Sequence, residues 1–66
     1  MRYRRIEELR LLNKLTQQEV ADVIGCQREV YRRYEKGTRE LPFALAVRLA
    51  NYYGVTLDYL AGRDIV

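Results

Sequence analysis

Apolar residues recur at helical spacings along almost the whole chain, and the strict alternation of half-buried strands is missing. Ile6, Leu9 and Leu12 make one stripe at spacings of three, which predicts a first helix over about Tyr3 to Asn13. The segment "TQQE", Thr16 to Glu19, reads as a capping box: the threonine accepts from the third helical amide and the glutamate reaches back. It opens a second helix with Val20, Ala21 and Ile24 inward, closed by Gly25. A third helix starts near Gln27 and stops at Gly37. "TRELP" is a loop, because a residue before proline is pushed out of the helical region. Pro42 suits the first turn of a fourth helix running through "FALAVRLANYY" to Gly54. Thr56 caps a short fifth helix, with Asp58 near its positive end and Gly62 closing it. The expected fold is all-α, with five helices, and residues 1–66 are expected to form a single domain.

The third helix has two unlike faces. At about 100° per residue, Arg28, Glu29, Arg32, Arg33 and Lys36 share an arc of roughly 140°. Val30, Tyr31 and Tyr34 fall on the opposite side, as core anchors. The charged arc alone fits a solvated face as well as a binding surface. The preceding segment favours binding. A capped short helix, the turn "GCQ" and a second helix carrying a cationic comb make a helix-turn-helix. In that motif the second helix enters the DNA major groove, where arginine donates to guanine O6 and N7 and glutamate accepts from cytosine.

Composition narrows the classes. The net charge is +3, and all of it lies in residues 1–40, which carry ten Lys/Arg against seven Asp/Glu. That is weak evidence for an anionic partner. Cys26 is the only cysteine, so no disulfide staples the domain and a reducing cytoplasm is the expected setting. There is no histidine, no metal-ligand cluster, no phosphate loop and no nucleophile–base pair. No apolar run approaches a membrane span. Enzyme activity, cofactors, a membrane partner and a small-molecule ligand are therefore not expected.

"LTQQEVADVIG", "REVYRRYEKGTRELP" and "LANYYGVTLDYLAG", in that order, resemble the phage repressor and Cro type of helix-turn-helix, often called xenobiotic-response-element regulators. The likeness covers about residues 5–63. It implies base contacts from Gln27, Arg28, Glu29 and Arg33 at the recognition helix, with Arg32 reaching base or phosphate. It implies phosphate contacts from Gln17 at the start of the second helix, a favoured place for anions, and from Thr38 and Arg39 in the loop; Lys36 is expected to join them. Arg10 and Glu35 match positions that hold a structural ion pair.

Four residues depart from the usual pattern. Tyr31 stands where an aliphatic residue is common, and its ring is expected inside with the hydroxyl reaching outward. Cys26 reads as a small buried hydrophobe. Gln27 is a poor helix cap, which leaves it for direct contact. Glu29 opposes the phosphates, so it fits either a cytosine contact or an ion pair with Arg32 or Arg33.

Phe43, Leu57, Tyr52, Tyr53 and Tyr59 are expected mostly to close the core around the last two helices. A few of them, with the tail Asp64–Val66, are candidates for a dimer surface. The function these features imply is sequence-specific binding of double-stranded DNA by a transcriptional repressor, as a homodimer on a palindromic operator. The rivals are an antitoxin or a protein-interaction module of the same fold, and a segment of a longer regulator.

Overall fold

A computed structural model of the chain describes residues 2–63. Five helices follow in order: α1 (Ile6–Leu12), α2 (Gln17–Ile24), α3 (Arg28–Lys36), α4 (Phe43–Tyr53) and α5 (Leu57–Ala61). The described residues contain no strand. α2 packs most closely on α3, and α4 packs against α2 and α5.

Local chemistry sets the ends of α2. The Thr16 hydroxyl accepts from the Glu19 amide at 3.1 Å, and the Glu19 carboxylate accepts from the Thr16 amide at 2.8 Å. Both otherwise orphaned donors are satisfied. Gly25 then turns the chain left-handed at φ 77°, ψ 37°. That conformation is easy only for a residue without Cβ, and it delivers the chain directly into α3. Thr56 caps α5 through its hydroxyl alone, accepting from the Tyr59 amide at 3.0 Å.

The core draws on every helix. Ile6, Ile24, Tyr31, Leu49 and Leu60, one from each, are among its largest fully buried side chains. α2 turns Val20, Ala21 and Ile24 inward.

The structure corrects several of the sequence expectations. α1 begins at Ile6 rather than Tyr3, because the N-terminal residues are held by tertiary contacts instead. Tyr3 enters the core, the Arg5 amide donates to Leu60 O at 3.0 Å, and Arg5 Nη1 donates to Tyr59 O at 3.1 Å. Leu12 does not belong to the buried stripe: it is 68% exposed. The chain leaves α1 through Lys14, which is left-handed at φ 56°, and Leu15 packs on the core in its place. Among the second-half apolar residues, Phe43 and Tyr52 are exposed, while Leu57, Tyr53 and Tyr59 pack only partly against the core. The inward positions of α4 and α5 are filled instead by Ala46, Leu49, Ala50, Leu60 and Ala61. Pro42 sits one residue before α4, as its N-cap, and its carbonyl accepts from both Leu45 and Ala46 at 3.0 Å. The tail Asp64–Val66, a candidate for a dimer surface, lies outside the described residues.

Candidate nucleic-acid interface

α3 is fixed from its inner face. Tyr31 is fully buried and Tyr34 nearly so. Beside them Glu35 is clasped by Arg10 of α1, whose Nε donates at 2.6 Å and Nη2 at 3.3 Å, one to each carboxylate oxygen. Gln17, the first residue of α2, donates from Nε2 to the same carboxylate at 3.0 Å. One carboxylate thus ties α1, α2 and α3 together. Burial pushes the Glu35 acid upward, but the hydrogen bonds from its neighbours and the Arg10 charge outweigh this, and its pKa lies below the ordinary value. The Arg10 guanidinium is held above its ordinary value, first by its hydrogen bond to Glu35.

Tyr31 differs from its expectation. Its hydroxyl does not reach outward; it is buried beside Glu35, without a partner in good hydrogen-bonding geometry. Burial, followed by the adjacent carboxylate, raises its pKa far above the tyrosine range. The Tyr53 hydroxyl shares this condition: it is buried and unpartnered, and desolvation with the nearby Tyr52 and Glu35 pushes it up to about 12. The ring of Tyr31 is wholly inside the core, which carries its oxygen inward with it. Cys26 is only partly buried, and burial raises its thiol above the ordinary value.

The outer face of α3 is open. Gln27 is the N-cap, exposed and without a side-chain capping bond. Arg28, Glu29, Arg33 and Lys36 are exposed, and Arg32 is half-buried. Thr38 and Arg39 continue this face into the loop, where the Thr38 hydroxyl donates to Arg33 O at 3.4 Å. Glu29 and Arg32 are paired: Nε and Nη2 of the arginine both donate to Glu29 Oε2, at 3.1 and 2.6 Å. The Arg32 bond and charge hold the Glu29 carboxyl below its ordinary value.

The basic N-terminus has another use, which sequence counting missed. Three helix ends closed by glycine each carry an arginine from elsewhere in the chain. Arg48 Nη1 donates to Ile24 O at 3.3 Å, at the end of α2. The Arg2 guanidinium lies over Gly37, where a Cβ would stand 2.9 Å from it, and Arg4 lies over Gly62 in the same way. A cation suits the negative end of a helix and its unpaired carbonyls. Arg5 adds a cation–π contact, 4.3 Å from the Tyr59 ring centroid. Positive φ at the glycines was legible; the arriving arginines depend on tertiary placement. Arg2 and Arg4 thus lie at helix ends, while Arg28, Arg33 and Lys36 of α3 and Arg39 of the following loop stay exposed on the open face.

Comparison with known proteins agrees with this geometry. The helix-turn-helix family matches residues 6–60. The chain is 40% identical over 55 residues to the uncharacterized HTH-type transcriptional regulator YqaE of Bacillus subtilis, covering 83% of this chain and 47% of that protein. It is 40% identical over 56 residues to the cryptic phage CTXphi transcriptional repressor RstR of Vibrio cholerae, covering 85% of this chain and 50% of that protein. It is 36% identical over 58 residues to the uncharacterized HTH-type transcriptional regulator YobD of Bacillus subtilis, covering 88% and 52%. The chain spans about half the length of these curated relatives. No solved structure shows a significant match.

Proposed function

The chain belongs to the helix-turn-helix family of DNA-binding domains, and from that premise we propose that it reads a specific double-stranded DNA sequence and represses transcription by occupying an operator. The observation that carries this reading is the two-faced α3. Its inner face is locked by Tyr31, Tyr34 and the Glu35 clasp, while its outer face offers Arg28, Arg33 and Lys36 to solvent. A helix so held presents its donors without paying to order the backbone beneath them.

In this reading Gln27, Arg28 and Arg33 meet base edges in the major groove, with Glu29 and Arg32 between them. Thr38, Arg39 and Lys36 meet phosphates and set the register. Gln17 acts chiefly through the start of α2, because its side-chain amide already serves Glu35. The first amides of that helix are free to face a phosphate. Occupancy blocks or recruits polymerase and needs no catalytic step. A homodimer would place two copies of α3 about 34–36 Å apart on a palindromic site.

Selection from a randomised duplex pool at physiological salt tests the proposal. A defined motif is expected. An unenriched pool with weak, salt-sensitive binding would reduce the outer face of α3 to a general electrostatic patch.

A further inference from the structure

On the open face of α3 one carboxylate stands among cations, in the first turn of the helix. Glu29 lies one residue into the helix, and on the helical wheel it points almost directly away from the buried Tyr31 and Tyr34 side. A negative charge there repels phosphates, so it costs affinity on every sequence. Its geometry shows what it does instead. A single carboxylate oxygen, Oε2, accepts from both Nε and Nη2 of Arg32. This takes up one edge of the guanidinium plane. The other edge, formed by Nη1 and the second hydrogen of Nη2, has no further partner among the described residues. Those two parallel N–H groups form the fork that matches O6 and N7 of a guanine.

We infer that Glu29 is a positioning residue for Arg32: the carboxylate locks the guanidinium edge-on, and Arg32 with its free edge reads a guanine. The inference rests on the proposed DNA-reading function and adds a residue role within it. A free arginine on a helix surface has many rotamers to lose on binding a base, and the fork is useful only in one plane. Pairing with Glu29 before binding removes part of that loss. It also accounts for an acidic residue in the face nearest a polyanion, because the affinity lost to repulsion is returned as selectivity. Arg28 and Arg33 feel the Glu29 charge but make no hydrogen bond to it, so the carboxylate fixes the plane of Arg32 alone.

Selection from the randomised pool with four proteins tests this: the natural chain, Glu29→Ala, Arg32→Ala and the double variant. Neither side chain belongs to the core, with Arg32 38% and Glu29 50% exposed, so the variants are expected to fold. The natural chain is expected to enrich a guanine at one position that Arg32→Ala relaxes by roughly 5- to 150-fold. Glu29→Ala is expected to relax that same position, and the double variant to lose no more there than Arg32→Ala alone. Glu29→Ala is also expected to bind random duplex more tightly than the natural chain, an opposite sign that a folding defect would not give. Relaxation of two different positions by the two single variants would overturn the inference and make Glu29 a reader in its own right. So would an unchanged motif in Glu29→Ala. Both results leave the positions read by Arg28 and Arg33 intact and spare the DNA-reading function. A natural chain that enriches no motif would overturn both together.

Discussion

Replacing Glu35 with alanine tests how the recognition helix is held. The Glu35 side chain is 2% exposed and that of Arg10 is 11% exposed, so the pair is almost wholly withdrawn from water. The carboxylate accepts three hydrogen bonds, at 2.6 and 3.3 Å from Arg10 and at 3.0 Å from Gln17. Without it Arg10 retains the Leu15 carbonyl at 3.0 Å and the largely exposed Glu7 carboxylate at 4.0 Å, and the Gln17 amide loses its acceptor. Breaking one side of a buried pair costs about 3–5 kcal/mol, because the remaining charge stays desolvated. A domain of this length has about 3–10 kcal/mol of stability in all. Glu35→Ala is therefore expected to lose a large part of it, followed as a lowered urea midpoint in circular dichroism. Glu35→Gln, which keeps the shape and an acceptor oxygen, is expected to lose less. A cost below about 1 kcal/mol for Glu35→Ala would show a hydrated, surface-like bridge and refute the clasp. The same pair sets an acid limit. The folded Glu35 pKa is lowered from an ordinary value of 4.5, so its contribution is present above that value and is lost as pH falls through the folded pKa. Stability is expected to fall in acid for the natural chain and to fall less steeply for Glu35→Gln.

Other outcomes follow from the same structure. Arg33→Ala is expected to cost about 1–3 kcal/mol on the selected duplex and to relax one base position; equal losses on all duplexes would make it a phosphate contact. Tyr31→Phe removes a buried hydroxyl that has no good partner, so urea unfolding is expected to show unchanged or slightly raised stability. A loss above about 1 kcal/mol would reveal a real bond to Glu35. Gly25→Ala is expected to cost about 1–2 kcal/mol from the left-handed backbone alone, since an added Cβ meets only Arg48 Nη1 at 3.7 Å. An unchanged midpoint would mean that the turn relaxes freely.

Helix positions were legible where a local rule decided them. The capping box at Thr16–Glu19, the glycine stops and the Thr56 cap act within a few residues of themselves, and these ends fell in place. Leu12 was not legible in this way. Its spacing matched the stripe, but α1 ends there and the chain turns at Lys14, so Leu15 takes the inward position. The aromatics of the second half misled for a related reason. α4 packs with small residues, which leaves Phe43 and Tyr52 outside. The two faces of α3 followed from periodicity alone. What periodicity left open was how the polar side chains of the chain are paired. Arg2, Arg4 and Arg48 go to helix ends far along the chain, Gln17 goes to Glu35, and Arg32 goes to Glu29. All but the last depend on where the helices meet; the pairing of Arg32 with Glu29 lies within one helix and was one of the two alternatives the sequence offered for Glu29.

The central claim is that α3 reads sequence rather than charge. Its most direct test is the ratio of dissociation constants for the selected duplex and a scrambled duplex of equal length, measured at physiological salt. A ratio of about 10³ or more is expected of a specific reader. Equal constants, falling together with the same slope as salt rises, would contradict it.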